Sequence, residues 1–280
     1  MKMPELPEII NLSEQMNQEL QHTIIKDIYV MQEKCINMPA ADFIKLLSNK
    51  RVEQVSSRGK WIITRLDHGV GLFLNLGMGG NVILHENDHD LPSKYQLRID
   101  MHDKRVLTIS FWWFGYIHCV DKGDWGSHKG IAKLGPTPIR DPEFTQVHFI
   151  NLLQGRKGSV KNYLLNQNNI AGIGNVYVQD ILFRAKIHPD RKLQTLSEAE
   201  KFLLYRSIIE TLEGAVKLGG LAYEKDLYNQ PGRFKDFLVG YREDLPCPIC
   251  KTLIQKIKSG STASYICPAC QGLDTNGANV

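Results

Sequence analysis

The chain has 280 residues, of which 42% are hydrophobic, and its formal net charge is only +4 at pH 7. This length allows two domains with real cores, and the small charge excludes a histone-like basic tail, so any contact with nucleic acid must be local. No apolar run is long enough to cross a membrane, and the N-terminus lacks the apolar stretch of a signal peptide. We therefore expect a cytoplasmic protein without a membrane anchor.

The first part of the chain predicts a helix followed by a sheet. Apolar residues in the stretch 8–21 recur at helical spacing, which predicts an amphipathic helix. From residue 24 to about residue 120 the pattern changes to short, strand-like runs that Asp, Gly, Asn and His turns separate. Five such runs predict an antiparallel sandwich or barrel. The runs are 61–66, 71–76, 81–84, 95–100 and 106–111.

The central part predicts helices after a linker at 121–142. Residues 144–218 show a helical pattern throughout, which a glycine turn at Gly172 and Gly174 interrupts. His188-Pro189 closes the second helical pattern, because the residue before proline avoids helical geometry. The turn predicts exposed N–H groups at a helix N-terminus, which suit a phosphate. A tight helix–helix corner without a ligand is equally consistent with the spacing.

Four of the six cysteines form two Cys-x2-Cys pairs separated by sixteen residues. This spacing predicts one structural Zn²⁺ bound by four thiolates, and a disulfide pair is the weaker alternative in a reducing compartment. Hairpin strands are predicted around 253–257 and 264–266. Cys35 and Cys119 are predicted to be ordinary core residues. The predicted zinc ligands are Cys247, Cys250, Cys267 and Cys270.

Short motifs in a fixed order extend through nearly the whole chain. They include Pro4-Glu5-Leu6-Pro7-Glu8, Gly59-Lys60, Leu76-Gly77-Met78-Gly79-Gly80, Phe114-Gly115, Leu134-Gly135-Pro136, Leu164-Leu165-Asn166-Gln167, Gly172-Ile173-Gly174-Asn175-Val176-Tyr177, Ile187-His188-Pro189, Tyr241-Arg242-Glu243 and the four cysteines followed by Gln271. Each motif is modest alone, but in this order the chain resembles the formamidopyrimidine-DNA glycosylase / endonuclease VIII family of base-excision repair enzymes.

The resemblance implies an α+β, multidomain fold that binds DNA. Residues 1–135 would form an N-terminal β-sandwich with a leading helix, and residues 136–233 a helix–two-turn–helix domain. Residues 234–280 would form a C-terminal zinc-finger β-hairpin. The implied partner is double-stranded DNA that contains damaged bases or abasic sites, and we expect a monomer.

The resemblance also implies a DNA glycosylase with AP-lyase activity on oxidised bases. The secondary amine of Pro4, as the N-terminal residue, would attack C1′, displace the base and form a Schiff base, after which elimination cuts the strand. Glu5 would act as acid and base at the sugar ring oxygen. Glu8 would position the site, and Lys60 would contact a phosphate and assist β-elimination.

Further matches imply contacts with DNA. Met78 matches a residue that enters the gap left by the flipped base, and Lys161 and Asn175 match phosphate contacts. Purely structural roles are the alternatives. Glu5 and Glu8 could be first-turn carboxylates, Pro4 and Pro7 could mark the helix start, and Met78 could be a core residue. The remaining implied DNA-binding residues are Lys94, Trp113, Phe114, Tyr241, Lys258 and Thr262.

The first departure from the family pattern concerns the N-terminus. Met1 and Lys2 precede Met3-Pro4, and a methionine before lysine is normally retained, because lysine is too large for the processing enzyme. With Met1 retained, the Pro4 nitrogen is an amide and cannot be a nucleophile. We therefore hypothesise that translation starts at Met3.

Three further departures concern the DNA-binding positions. Trp112-Trp113 replace an arginine pair, and an indole offers one donor against the five of arginine, which predicts weak preference for the base opposite the lesion. Thr262, with Lys258 nearby, replaces an arginine linked to δ-elimination, which predicts that the β-elimination product accumulates. Lys94 belongs to a segment that lacks the family histidines. These departures leave a second hypothesis, a catalytically altered or inactive DNA-binding relative that recognises damaged or distorted DNA.

Overall fold

A computed structural model describes residues 3–122 and 125–273 of the chain. It divides into two compact units, residues 1–133 with 216–233 and residues 134–215 with 234–280. The segment 216–233 therefore belongs to the N-terminal unit, whereas the division by sequence into three domains stays a prediction. In the described part of the chain, no helix is long and apolar enough to cross a membrane.

The N-terminal unit contains two α-helices and two antiparallel four-stranded sheets among its described residues. The elements are α1 (Leu6–Leu20), β1 (Ile25–Val30), α2 (Ala40–Leu47), β2 (Val52–Arg58), β3 (Trp61–Leu66), β4 (Gly71–Asn75), β5 (Asn81–His85), β6 (Leu97–Met101), β7 (Val106–Ser110) and β8 (Tyr116–Val120). The sheets have the strand orders β1-β6-β7-β5 and β2-β3-β4-β8. Buried side chains of both sheets and of α1 form one hydrophobic core.

The helix α2 corrects the prediction of a purely strand-like region between residues 24 and 120. It begins directly after Pro39, which acts as its N-cap. Phe43 and Leu47 are four residues apart and fully buried, so one face of α2 packs into the core. A helix of eight residues contains only two turns, and this is too few for its period to stand out from strand-like runs on either side.

The C-terminal unit contains the remaining α-helices and the cysteine hairpin. Residues 144–218, which were predicted to be helical throughout, instead form four α-helices separated by loops. Thr145 and Ser159 cap the first two helices by accepting N–H bonds from His148 (3.2 Å) and Asn162 (3.4 Å). The elements are α3 (Gln146–Leu153), α4 (Val160–Leu165), α5 (Tyr177–Arg184), α6 (Glu198–Lys217), β9 (Gln255–Ser259) and β10 (Thr262–Ile266).

An aromatic and histidine cluster covers one face of the second sheet. The segment 125–131 places the His128 ring on Phe73, with ring centroids 4.8 Å apart. The Gly130 N–H donates to His128 Nδ1 (3.2 Å), so His128 Nε2–H donates to His118 Nδ1 (2.8 Å). Burial, with a smaller effect of the His128 charge, lowers the pKa of His118 to about 4, and burial also lowers the pKa of His128.

We expect this histidine pair to make stability fall in acid. The unfolded chain binds protons at the ordinary histidine pKa of about 6.5, whereas folded His118 stays neutral down to about 4. The contribution of His118 to the free energy of unfolding is therefore fully present above pH 6.5. It is lost as the pH falls toward 4, by about 1 kcal/mol per pH unit. Urea unfolding across this pH range is expected to give a free energy of unfolding that depends less steeply on pH in His118→Gln than in the unmodified protein. His89→Gln, which removes an exposed histidine, serves as the control, and equal slopes in all three proteins would contradict the assignment.

Candidate functional site

Two buried carboxylates meet at the N-terminus of α1. Glu5 and Glu8 are 2% and 4% exposed, and Pro4 beside them is also buried. The Glu5 N–H donates to Glu8 Oε2 (2.9 Å), and the Glu5 side chain accepts from the Glu8 N–H in a reciprocal capping box. The structure thus brings together three predicted catalytic residues, because a helix N-terminus favours carboxylates in its first turn.

Glu8 has a second partner that the sequence did not indicate. Its Oε1 accepts the N–H of Leu221 (3.0 Å), which lies in the loop 219–233. Gly220 precedes that N–H with φ +84°, and a Cβ at Gly220 would lie 2.8 Å from Glu8 Oε1. Only glycine therefore allows the loop to approach the carboxylate so closely. Glu8 positions this loop as well as the start of α1.

The loop 219–233 is also fixed at its middle. The Leu227 N–H donates to Gln15 Oε1 of α1 (3.0 Å), and the Leu227 carbonyl accepts from the Leu84 N–H (2.9 Å). Leu221 and Leu227 are fully buried, whereas Tyr223 between them is 49% exposed and Tyr228 after them is 42% exposed. The two buried leucines therefore anchor a loop whose remaining residues are largely accessible to solvent.

Lys60 lies in the turn between β2 and β3, where Gly59 has φ +57°. The Asn75 side chain connects this turn to the loop that contains Met78. Its Nδ2 donates to the Lys60 carbonyl (3.2 Å), and its Oδ1 accepts the Gly77 N–H (3.1 Å). Asn75 is a positioning residue that the sequence analysis missed, because a lone asparagine at a strand end carries no motif.

Met78 pairs with the loop between β7 and β8. Its N–H donates to the Trp113 carbonyl (2.8 Å), and its carbonyl accepts the Trp112 N–H (3.0 Å). Met78 itself is half-buried, whereas Trp113 and Phe114 are 64% and 66% exposed. The structure thus joins three predicted DNA-binding residues on two adjacent loops. Lys94 lies outside this pair of loops, in the exposed segment before β6.

In the C-terminal unit, the glycine turn between α4 and α5 is organised by Gln167. Its Oε1 accepts the Gly172 N–H (2.8 Å), and its Nε2 donates to the carbonyls of Leu165 (3.0 Å) and Ile173 (2.8 Å). The Gly172 N–H is therefore already bonded within the protein. This removes Gly172 from the N–H groups that the turn was predicted to offer to a phosphate.

Asn175 and Thr262 are hydrogen-bonded to each other. Thr262 Oγ1 donates to Asn175 Oδ1 (3.0 Å), and Gln179 Nε2 donates to the Asn175 carbonyl (2.9 Å) and to Oδ1 (3.2 Å). The Gln179 Oε1 also accepts the Tyr265 N–H (3.1 Å) of the hairpin. The side-chain oxygen of Asn175 is therefore occupied by Thr262 and Gln179, and its NH2 group is the part of the side chain that suits an anionic ligand.

Lys161 is fully buried beneath the hairpin tip. Its Nζ donates to the carbonyl of Ala263 (2.9 Å) and to Ser264 Oγ (2.7 Å), with longer contacts to the carbonyls of Ser259 and Thr262 (both 3.5 Å). Burial lowers the pKa of Lys161 to about 8, although the nearby Asp190 opposes this shift. The ammonium group thus holds the residues that form the turn of the hairpin.

We expect Lys161→Met to loosen the hairpin tip while leaving the zinc site in place. The change removes the ammonium donor from the buried Ser264 hydroxyl and from the Ala263 carbonyl, which keeps only a longer contact with Gln179 Nε2 (3.4 Å), and this loss costs roughly 1–3 kcal/mol. Hydrogen exchange of the amides in 259–264 is expected to accelerate, and zinc content is expected to stay at one per chain. Lys201→Met removes a lysine from a surface ion pair on α6 and serves as the control. Unchanged exchange at the hairpin tip would show that Lys161 does not hold it.

Asp180 is a further buried carboxylate of this unit. It accepts three backbone N–H bonds, from Leu238 (2.8 Å), Val239 (3.0 Å) and Gly240 (3.0 Å), and burial raises its pKa. These bonds position the next residue, Tyr241, which is 37% exposed with φ +58°. Asp180 was missed because an acidic residue inside a helical pattern resembles any solvated position.

The four cysteine Sγ atoms lie within 4.8 Å of one another, and individual pairs are separated by 3.3, 3.5 and 3.9 Å. Tetrahedral zinc with Zn–S bonds of about 2.3 Å requires sulfur atoms roughly 3.8 Å apart, so the cluster fits Zn²⁺. Gln271 connects the cluster to the helices, because it accepts the Cys267 N–H (3.1 Å) and donates to the Ile187 carbonyl (3.0 Å). Lys258 and Thr262 lie on the hairpin that this cluster anchors, and Lys258 is exposed.

Three family models match successive parts of the chain. The formamidopyrimidine-DNA glycosylase N-terminal domain matches residues 3–110, and the formamidopyrimidine-DNA glycosylase H2TH domain matches residues 134–226. The zinc finger found in FPG and IleRS matches residues 244–272, which confirms the predicted zinc site. Together these matches cover every region that carries a candidate site residue, apart from the aromatic loop at 112–114 and Tyr241.

Two relatives match this chain over nearly the whole length of both sequences. Formamidopyrimidine-DNA glycosylase of Bacillus cereus is 31% identical over 280 residues, covering 96% of this chain and 99% of the relative. The enzyme of the same name from Ligilactobacillus salivarius is 32% identical over 273 residues, with the same coverage. Each match therefore extends over nearly the whole of both chains.

The solved structures confirm the predicted fold class. Lactococcus lactis Fpg in complex with DNA that contains an abasic site has a TM-score of 0.87 and 28% identity, covering 96% of this chain and 99% of that chain. MutM (Fpg) of Thermus thermophilus has a TM-score of 0.85 and 27% identity, with the same coverage. The chain therefore belongs to the formamidopyrimidine-DNA glycosylase family.

Proposed function

We propose that this protein is a base-excision-repair DNA glycosylase with AP-lyase activity that acts on double-stranded DNA. The observation that carries the proposal is the buried Pro4-Glu5-Glu8 cluster at the start of α1, in a chain that the family models match over residues 3–110, 134–226 and 244–272. Structures of Fpg bound to abasic-site DNA and of MutM bound to DNA with carbocyclic 8-oxo-G support the substrate class. The alternative of an inactive DNA-binding relative is not favoured.

Pro4 is the proposed nucleophile and Glu5 the proposed acid and base. As the first residue, Pro4 would offer a secondary amine that forms a covalent bond to C1′ as the base leaves, and the resulting iminium allows β-elimination of the 3′ phosphate. Glu5 lies next to Pro4, so its carboxylate suits proton transfer at the sugar. Glu8 would hold Glu5 and the loop 219–233 in place, since it accepts the Glu5 N–H and the Leu221 N–H.

Phosphate contacts are proposed for Lys60 in the N-terminal unit and for Asn175 in the C-terminal unit. The Asn175 geometry supports this role, because Thr262 accounts for the side-chain oxygen and leaves the NH2 group as a donor. A phosphate contact by Lys161 would have to share an ammonium group that already bonds the hairpin. Tyr241, Lys258 and Lys94 are proposed to line the DNA path. The bound zinc would hold the hairpin in shape and takes no part in the chemistry.

Thr262 supports the proposal that β-elimination dominates over δ-elimination. Its hydroxyl is already used to bond Asn175 and it brings no positive charge to the phosphate. A neutral donor stabilises a departing phosphate less than a charged guanidinium does. The β-elimination product is therefore proposed to accumulate.

The enzyme is proposed to act on the chromosome in the cytoplasm, since the relatives that it matches are bacterial. Borohydride trapping on a duplex with one abasic site tests the proposed function. A covalent adduct whose tryptic peptide contains Pro4 is expected, because borohydride reduces the Schiff base to a stable amine. Preserved DNA binding without any adduct would overturn the catalytic proposal and favour the binding-only alternative. Binding is expected to weaken linearly with the logarithm of salt concentration in either case.

A further inference from the structure

Three consecutive aromatic side chains protrude from the loop between β7 and β8. Trp112, Trp113 and Phe114 are 64%, 64% and 66% exposed, although large aromatic side chains are normally buried. A contiguous exposed patch of this kind marks a surface that binds something. For the function proposed above, these three rings suit a ligand with flat apolar faces that can stack on them.

The backbone beneath these rings is held from several sides. The Phe111 N–H donates to Gln96 Oε1 and the Phe111 carbonyl accepts from Gln96 Nε2, both at 2.9 Å, so the loop is fixed where it begins. Its middle is fixed by the two hydrogen bonds between Met78 and the tryptophans. A Cβ at Gly77 would lie 2.2 Å from the Trp113 carbonyl oxygen, so the neighbouring loop can approach only because residue 77 is glycine.

Trp112 also rests against the neighbouring loop. A Cβ at Gly79 would lie 3.1–3.4 Å from three atoms of the Trp112 indole, so one side of the ring lies close to the Gly79 backbone. The other parts of the ring are open to solvent. A ring that is supported on one side and exposed elsewhere loses little conformational freedom when it stacks on a ligand.

Charge favours nucleic acid as that ligand. The segments 76–85 and 105–120, which include both loops, contain no aspartate or glutamate. A phosphate backbone can therefore approach the rings without meeting a carboxylate in these segments. The patch is also continuous with Met78, which is proposed above to enter the gap left by a flipped base.

We propose that the loop formed by Trp112, Trp113 and Phe114 is a base-stacking platform that allows the enzyme to process damage in single-stranded or locally unpaired DNA. Trp112 is thereby an additional specificity-determining residue. The inference rests on the proposed function. Stacking uses the face that every base possesses and requires no complementary strand. Reading a partner base by hydrogen bonds requires several donors, and each indole has only one.

Binding of a fluorescein-labelled oligonucleotide with one abasic site tests the proposal, as a single strand and as a duplex. The unmodified chain is compared with Trp112→Ala, Trp113→Ala and the matched control Phe202→Ala, which removes an exposed aromatic residue of α6. Each tryptophan variant is expected to bind the single strand roughly five- to hundred-fold more weakly, with a smaller loss for the duplex. Unlabelled single strand is also expected to quench the tryptophan fluorescence of the unmodified chain.

Two results would overturn the platform. One is that the tryptophan variants lose single-strand and duplex affinity by the same factor, and the other is that they lose no more than the Phe202 variant. Borohydride trapping on the same two oligonucleotides separates this proposal from the proposed function. If only the platform is wrong, the duplex still gives an adduct while the single strand does not. If the enzyme function is wrong, neither gives an adduct, but the stacking signal of the single strand persists.

Discussion

A chain that begins at Pro4 is expected to cut abasic-site DNA at least roughly 10³-fold faster than the same chain with Met1, Lys2 and Met3 attached. In the longer chain the Pro4 nitrogen belongs to a peptide bond, and its lone pair is delocalised into the Met3 carbonyl. It therefore cannot attack C1′. A free secondary amine has no such restriction, and its attack creates the Schiff base on which elimination depends.

The measurement compares single-turnover cleavage by two preparations, one expressed from Met3 and one from Met1, after intact mass has identified the first residue of each. Duplex affinity provides the control, because the phosphate-binding residues are the same in both chains. Similar affinities with very different rates are expected. Equal rates from a chain whose mass shows that Met1 is retained would refute the role of Pro4 and direct attention to a side-chain amine, of which Lys60 is the first candidate.

Replacement of Cys267 by serine is expected to remove the zinc ion and to lower the rate of DNA cleavage by roughly 100-fold or more. Cys247 and Cys267 are fully buried, and they form a small hydrophobic cluster with Phe183, Val239 and Ile254. A cluster this small cannot hold the hairpin by itself, so binding of structural zinc, which contributes roughly 10 kcal/mol or more in zinc-finger peptides, supplies most of its stability. Without zinc, Thr262 and Lys258 lose their fixed positions.

Metal analysis and hydrogen exchange of residues 244–272 measure this effect. Cys35→Ala is the matched control, because Cys35 is a buried thiol of the N-terminal unit whose pKa burial raises to about 11. The control is expected to keep one zinc per chain and an ordered hairpin. A Cys267→Ser protein that retains both stoichiometric zinc and a protected hairpin would show that three thiolates suffice and that the fourth is dispensable.

Local patterns predicted several elements of this protein correctly. The period of the apolar residues after Glu8 predicted α1, and the two Cys-x2-Cys pairs predicted a zinc site that the sulfur distances and the zinc-finger match confirm. The motif order indicated the family, which the comparisons confirm. These features depend on residues close together in the chain, whose spacing alone restricts which side chains share a helix face or a metal ion.

Other features depended on contacts between distant residues. The loop 219–233 lies against Glu8 because its Leu221 N–H reaches a carboxylate 213 positions earlier in the chain. Lys161, which was predicted to contact phosphate, donates hydrogen bonds from its ammonium group to hairpin carbonyls about a hundred residues later in the chain. No sequence window contains both partners of such a bond.

The sequence by itself therefore determined the family, the zinc ligands, the leading helix and the types of residue that the chemistry needs. Only the tertiary structure decided how those residues are used. It showed that Gln167 already bonds the Gly172 N–H, that Thr262 orients Asn175, and that Trp112 rests on Gly79. The physical reason is that a donor's availability depends on which partners the fold brings within about 3 Å, and spacing along the chain does not contain that information.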